Sequence, residues 1–479
     1  MIIGPDPSRP TVVVIGGGVA GLTAARDVLV AAPDTRVIVL EAADRVGGKL
    51  RREEVAGVLV DVGAEAMLSV RPEAVELVEQ VADAKDVVRP ATTAARIWSR
   101  GELHPLPRTR VGVPFADSRV TGLLTADEEA RMRSETPPPM VETDVSVGDY
   151  VAARLGDAVV DRLVEPMLGG VYAGRSRELS LRATMPGVWD VAARRGSLLA
   201  PPEYDSASST AGQARSPFIG LRGGVGRLVD LLAADVEIRG GTIVTRTIVR
   251  GLERTATGWS VLSGPTTDPQ LQHADAVVIA VPPPAAARLL GETAPDAAAA
   301  LGEVEVASVA VITLAVPAAE VAGWTGSGFL VPSVDGRGIK ASTFSSAKWG
   351  WLAAAGGRTA YLRASVGRAG ETATLQRDDA DLVDLAAREV PDAMGAGSLT
   401  VVDSHVQRWG GALPQYAVGH VDRVDRVRRA VAAVDGLEVA GATYEGVGIP
   451  AVIASAHRAA DGVLARLTHL REATGRERE

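Results

Sequence analysis

A chain of 479 residues, 46% apolar and 23% charged, is long enough for two or three domains and has the make-up of an ordinary globular protein. Its net charge of −9, with no basic block, argues against nucleic acid as a partner. The absence of cysteine rules out a disulfide, a thiolate metal site, a cysteine nucleophile and a flavin tethered through cysteine.

Met1 to Pro10 is short, polar and Pro-rich, without the charged-then-apolar order of a signal peptide. Thr11-Val12-Val13-Val14-Ile15 is an unbroken β-branched run, the mark of a parallel strand buried on both faces. It leads into Gly16-Gly17-Gly18-Val19-Ala20-Gly21, which fits G-x-G-x-x-G, and then into an Ala-rich helical stretch from Leu22 to about Ala32. Arg36–Leu40 reads as a second buried strand ending at Glu41, which completes a βαβ unit. Gly16 permits the tight turn, Gly18 lets the backbone approach a pyrophosphate, and Gly21 lets helix and strand pack closely. The helix N-terminus offers free N–H groups and a partial positive charge to that diphosphate. Glu41, twenty residues after Gly21, can accept hydrogen bonds from both ribose hydroxyls.

A second Gly pair follows in Ala42-Ala43-Asp44-Arg45-Val46-Gly47-Gly48-Lys49, and a strand-like Val58–Val62 runs to Gly63-Ala64-Glu65. An extended FAD needs these further N–H donors for its diphosphate and ribitol, whereas a nicotinamide cofactor does not. Arg45 and Lys49 also admit a plainer reading, a solvated charged loop. Pro72 to about Ala84 has helical apolar spacing, and Ala94–Ser99 with Leu103–Pro107 reads as a hairpin turning at Gly101. Residues 108–200 change character, with Pro-rich punctuation at Glu135–Met140 between helical segments. Val151, Leu155, Val159 and Leu163 recur every four residues, the apolar stripe of a helix packed on a core.

Ser206–Ser216 reads as a loose loop, and Phe218–Leu228 leads into a helix. Gly241–Val249 and Trp259–Leu262 read as neighbouring strands, and Ala274–Val281 as a buried strand stopped by three prolines. That succession returns the chain to the nucleotide-binding sheet, because parallel strands need long crossovers. Residues 285–400 alternate apolar strands, Val304–Leu314 and Thr359–Val366 among them, with helical stretches that would roof a flavin. The longest apolar run, Val309–Ala319, is broken by Thr313 and Pro317 and falls short of the ~20 residues a bilayer span needs. Gly436–Gly441 is a strand entering a Gly turn through Pro450, then a helix from about Ala451 to Leu467 and a charged tail, Arg471 to Glu479, expected to fray. The positive end of that helix suits the flavin ring. The predicted fold is α/β. It has a Rossmann-like FAD-binding domain (1–95, 220–284 and 436–479), a mixed-sheet substrate domain (96–107 and 285–435) and a largely helical insertion (108–219).

The first motifs resemble the flavoprotein group that holds monoamine oxidases, phytoene desaturases and protoporphyrinogen oxidases. These share E-x-x-x-R-x-G-G-[RK], matched here by Glu41, Arg45, Gly47, Gly48 and Lys49. Other segments resemble the protoporphyrinogen and coproporphyrinogen oxidases of haem synthesis more closely. They are Asp161-Arg162-Leu163-Val164-Glu165-Pro166-Met167-Leu168-Gly169-Gly170-Val171-Tyr172-Ala173-Gly174, Leu221-Arg222-Gly223-Gly224, Arg408 to Tyr416, and Gly446-Val447-Gly448-Ile449-Pro450. The likeness covers nearly the whole chain. One departure is Ala456, where that family usually has Gly, a local packing change.

The resemblance implies a non-covalent FAD contacted by Gly16, Gly17, Gly18, Val19, Ala20, Gly21, Glu41, Ala42, Arg45, Gly48 and Lys49. It adds Gly63, Ala64, Glu65, Ala66, Trp409, Val447, Gly448 and Ile449, with Val249 meeting the adenine through its backbone. It also implies that Arg96 faces a substrate propionate, for which a bidentate guanidinium is suited; read from the residue alone, Arg96 is a surface charge on a strand. Gly169 and Gly170 would let a flat macrocycle pass close to the backbone, and Tyr172 reads either as substrate-binding or as core. The implied reaction is hydride loss from a methylene bridge of a porphyrinogen to flavin N5, in three cycles, with O2 as acceptor and H2O2 as product. Coproporphyrinogen III is the expected substrate and protoporphyrinogen IX the alternative; an amine oxidase, a carotenoid desaturase or a non-catalytic escort protein of the same fold are more distant readings. No general base is assigned, the six histidines show no metal-ligand spacing, and His420 reads as structural or catalytic. The implied setting is the cytoplasm, with at most peripheral contact with the inner face of the membrane and a transient contact with a ferrochelatase.

Overall fold

The computed structural model describes residues 9–137, 141–201 and 216–476. The expectations for residues 1–8, for 138–140, for the loop to residue 215 and for 477–479 lie outside the described residues.

Five short strands form a parallel sheet in the order Thr242–Val244, Arg36–Leu40, Thr11–Ile15, Ala276–Ile279, Leu437–Val439. All five residues of the central strand Thr11–Ile15 are buried, as its unbroken β-branched run requires. Alternation sends Val12 and Val14 to one face and Val13 and Ile15 to the other. The first face is covered by helices Val19–Ala31, Pro72–Val81, Arg227–Ile238 and Ile449–Arg476. The second is covered by a small antiparallel sheet (Val249–Arg254, Trp259–Ser263, Gln270–Ala274) and by helices Pro283–Leu290, Pro295–Gly302 and His420–Ala432.

The predicted strand Gly241–Val249 is in fact two. Thr242–Val244 joins the parallel sheet, the chain turns at Arg246 (φ 54°), and Val249 opens the small antiparallel sheet. Gln270–Ala274 is a third strand of that sheet, and Gln-Leu-Gln-His-Ala has too little apolar alternation to announce it in the sequence.

Seven strands form a mixed sheet in the order Asp403–Pro414, Val306–Pro317, Thr359–Val366, Ala341–Thr343, Gly328–Leu330, Ala95–Ser99, Glu102–Pro105. Its one parallel pair is Gly328–Leu330 with Ala95–Ser99. The predicted hairpin 94–107 turns at Arg100 and Gly101, as expected. One face of the sheet (Ile312, Leu314, Phe329, Leu362) packs on helix Asp379–Ala393. The other face looks toward the nucleotide-binding half and the helical insertion, with Ile97, Val309 and Trp409 among its residues.

In the insertion, Val151, Leu155, Val159 and Leu163 are all buried in one core, so the stripe is real. Its helix is interrupted, however. Val147–Leu155 stops at Gly156 (φ 96°), and the chain re-enters at Asp157, passes through a π-helical turn at Val160–Val164 and continues as Glu165–Tyr172. The last helix continues past Leu467 to Arg476, and Ala456 is fully buried within it, its methyl accommodated by the surrounding core. Among the described residues no helix is long and apolar enough to cross a membrane.

Candidate cofactor and substrate site

The strand order reverses beside Thr11–Ile15, and open α/β sheets bind ligands outside the carboxyl ends of their strands at such a point. Each motif glycine meets a separate demand there. A Cβ on Gly16 would lie 2.5 Å from the Ala280 carbonyl oxygen, and one on Gly21 would lie 1.9 Å from that of Gly16. A Cβ on Gly18 would meet nothing within 4 Å, so the space before helix Val19–Ala31 is open. That helix has no side-chain cap and no acid in its first turn, which leaves its N–H groups and positive end for an anion.

The Glu41 carboxylate accepts from the Gly17 and Ala43 amides, both at 2.7 Å, and so ties the Gly turn to the tip of the second strand. The second Gly pair lies against the first. The Gly47 amide donates to the Gly17 carbonyl at 2.7 Å, and a Cβ on Gly48 would lie 3.4 Å from the Gly18 Cα. Arg45 is not a loose surface charge: its guanidinium donates to the Val46 and Gly48 carbonyls at 2.9 Å and braces the loop, with Ala42 exposed beside Glu41. Lys49 lies in a cleft, open to solvent yet surrounded by protein. Its ammonium donates to the Ala412 carbonyl at 2.6 Å, and the enclosure lowers its pKa to about 8.

Across that cleft the nucleotide-binding half is fastened to the mixed sheet. A Cβ on Gly63 would lie 2.1 Å from the Lys49 carbonyl oxygen and 3.2 Å from the Trp409 ring. Trp409 Nε1 donates to the Val62 carbonyl at 3.2 Å, and Arg363 donates to that of Gly63. Glu65 pairs with Lys348 at 3.4 Å and with Arg363 at 3.7 Å. Burial pushes the Glu65 pKa up, but the two cations prevail and hold it below the ordinary range. Its carboxylate is thus committed to ion pairs that fix the segment Gly63–Ala66.

The chain leaving Thr242–Val244 runs alongside Glu41, with the Thr247 amide on the Glu41 carbonyl at 2.8 Å, and delivers buried Val249 beyond it. The Val249 carbonyl already accepts from Arg288 at 3.0 Å. Helix Ile449–Arg476 also begins at the carboxyl edge of the sheet, without an acid in its first turn. Gly448 is exposed there, and Val447 packs on the core of the insertion.

On the side of the insertion, Gly170 is exposed at the end of helix Glu165–Tyr172. A Cβ on it would meet Leu330 at 3.7 Å, and one on Gly169 would meet only Gly174 at 3.9 Å. Tyr172 belongs to the core. Its ring lies 5.4 Å from that of Tyr416, its carbonyl accepts from Gln415 at 2.8 Å, and burial pushes its phenol up to about 12. Tyr416 in turn stacks on His420 with centroids 3.9 Å apart. His420 has a structural role: its Nε2 proton sits on the Thr443 carbonyl at 2.9 Å, and burial lowers its pKa to about 4.

Arg96 is not brought to this group. The register pairs Ile97 with Leu330 and Arg96 with Phe329, so Arg96 projects from the face opposite Gly170, and its guanidinium donates to the Thr325 carbonyl. The residue that does reach Gly169 is Lys340, with Nζ 3.5 Å from its carbonyl oxygen. No motif or periodicity marks Lys340, Lys348 or Arg363 in the sequence, but lysine usage carries a signal. Only four lysines stand among 50 basic residues, and three of them, Lys49, Lys340 and Lys348, line or underlie this cleft.

Residues 19–464 match the family described as flavin containing amine oxidoreductase. The coproporphyrinogen III oxidase of Mycobacterium tuberculosis is 38% identical over 471 residues, which is 95% of this chain and 97% of that protein. That of Bacillus subtilis is 31% identical over 460 residues, 92% of this chain and 94% of that one. A crystal structure from Exiguobacterium sp. 255-15, provisionally described as a protoporphyrinogen oxidase, superposes with a TM-score of 0.82 at 28% identity, covering 96% of this chain and 99% of the other.

Proposed function

This chain belongs to the flavin-containing amine oxidoreductase family, and from that premise we propose that it is an FAD-dependent coproporphyrinogen III oxidase of haem synthesis. What carries the reading is the 38% identity, over 95% of the chain, to a protein named for that activity. The site chemistry supports it. Glu41 would hold the ribose, and the open space at Gly18, the Gly47–Gly48 loop and the uncapped helix Val19–Ala31 would hold the diphosphate. Trp409 and Gly63 would border the flavin end; with no cysteine in the chain a cysteinyl tether is excluded, and the proposed FAD is non-covalent. FAD held there would supply two-electron acceptor chemistry, with O2 as the final oxidant. Three turnovers convert coproporphyrinogen III and three O2 to coproporphyrin III and three H2O2.

The chain itself contributes orientation and charge. Gly169 and Gly170 leave room for a flat macrocycle at the backbone, and the helix end at Gly448–Ile449, with no acid in its first turn, offers partial positive charge to the part of the cofactor that reaches it. His420 is buried with its Nε2 proton held on the Thr443 carbonyl, and no role as base is assigned to it. The proposed setting is cytoplasmic, with membrane contact at most peripheral and transient delivery of product to a ferrochelatase.

Anaerobic mixing of the flavin-loaded protein with each porphyrinogen tests the reading, flavin bleaching being the signal. Coproporphyrinogen III is expected to bleach it, with the higher kcat/KM. Protoporphyrinogen IX winning clearly would overturn the choice of substrate. Bleaching by amines or phytoene, but by neither porphyrinogen, would overturn the reaction class.

A further inference from the structure

Lys340 is only 6% exposed, and among the described residues the one hydrogen bond its side chain makes is the long contact, 3.5 Å, to the Gly169 carbonyl oxygen. That carbonyl is already taken by the Ala173 amide at 3.1 Å. A second buried cation stands nearby. Arg368 donates to the Val331 carbonyl at 3.2 Å and lies 3.5 Å from Glu371, whose carboxylate is partly in solvent. Burial and the repulsion of Arg368 lower the Lys340 ammonium to about 7. Two enclosed basic groups against one half-exposed carboxylate leave the Lys340 ammonium, whenever it is protonated, short of a counter-charge. Folded proteins rarely keep such a charge, because an enclosed ion without a partner is costly. The next residue along the helix from the Lys340 contact is Gly170, which is exposed and without a side chain.

We infer that Lys340 is an anion anchor whose ammonium receives a carboxylate of the planar substrate passing over Gly169–Gly170. The inference rests on the porphyrinogen reading above, which supplies the carboxylates. It gives the anchoring role to Lys340 in place of Arg96, which projects from the other face of the sheet. A compact ammonium suits the position, since a guanidinium would need room for its planar fork.

The test uses the flavin-loaded protein and coproporphyrin III, the fluorescent tetracarboxylate, with its tetramethyl ester as the uncharged control. Lys340→Met keeps the apolar length of the side chain and removes the charge. Titration by fluorescence quenching is expected to show the free acid bound on the order of tenfold more weakly by Lys340→Met than by wild type, with the ester bound equally by both. The melting temperature of Lys340→Met should stay level or rise. Equal affinity of the two proteins for the free acid would overturn the anchor. So would a lowered melting temperature with unchanged binding, which would make Lys340 a cap on the helix end at Gly169. Wild type that binds no porphyrin removes the substrate reading and the anchor together, whereas wild type that binds, matched by the variant, removes the anchor alone.

Discussion

His420 is 2% exposed, lies nearly parallel to the Tyr416 ring and keeps its Nε2 proton on the Thr443 carbonyl. Burial lowers its pKa to about 4 from an ordinary 6.5. The unfolded chain therefore takes up this proton from pH 6.5 downward, and the folded one only near pH 4. The stability that the neutral ring contributes is complete above pH 6.5 and is lost as pH falls through 4. At about 1.4 kcal/mol per pKa unit, that loss is ~3 kcal/mol. His420→Gln should show a flatter stability profile between pH 7 and 4 in urea unfolding; a profile parallel to wild type would assign the acid limit to other groups. Lys340 obeys the same rule in an alkaline window. Its folded pKa of about 7 lies below the ordinary 10.5, so stability is full above pH 10.5 and falls as pH drops toward 7. Lys340→Met removes that penalty. Its melting temperature should exceed that of wild type most at pH 7, and the gap should close toward pH 10; a gap that does not change with pH would mean that the ammonium is solvated.

At the scale of elements, the βαβ unit was legible because its backbone leaves so few residue choices. At Gly21 a methyl would strike the Gly16 carbonyl, and between Arg36–Leu40 and Ala276–Ile279 only a doubly buried strand fits. What stayed hidden depends on distant partners. The strand around Arg96 was visible, but which of its faces meets the insertion is set by pairing with Gly328–Leu330, more than 200 residues away, and a slip of one residue inverts every side chain. Lys340 escaped notice because the strand it precedes, Ala341–Thr343, is three residues long and has no period to read. The break at Gly156 and the π-helical turn after it were masked because the apolar stripe runs through both. Two glycine substitutions separate scaffold from site. Gly21→Ala should push helix Val19–Ala31 off its strand, giving flavin-poor protein with a lowered melting temperature. Gly170→Ala meets only an ordinary contact with Leu330, so its stability should stay within ~0.5 kcal/mol of wild type while KM for the porphyrinogen rises. An unchanged KM for Gly170→Ala, and for Gly170→Leu as well, would put that helix end outside the path of the substrate.

At the scale of the molecule, separate apolar cores fill the nucleotide-binding half, the insertion and the mixed sheet, and polar clasps join them around the cleft. Lys49 to Ala412, Trp409 to Val62, Arg363 to Gly63, and Glu65 to Lys348 and Arg363 all cross between the nucleotide-binding half and the sheet. A ligand that needs both walls of such a cleft binds the folded chain and not the unfolded one, so it must stabilise the whole. At a free concentration a hundred times its Kd that stabilisation is ~2.7 kcal/mol. The melting temperature of flavin-depleted protein should therefore climb with added FAD. FMN lacks the adenosine that would reach Glu41, and it should raise the melting temperature far less. Glu41→Ala loses a charged acceptor worth ~1–3 kcal/mol, so the same rise should need FAD on the order of tenfold or more above the wild-type requirement. FMN matching FAD would show that the adenosine end contributes nothing and that Glu41 serves only to tie the Gly turn to the second strand. A melting temperature indifferent to both would show that the cleft holds no flavin in the folded protein.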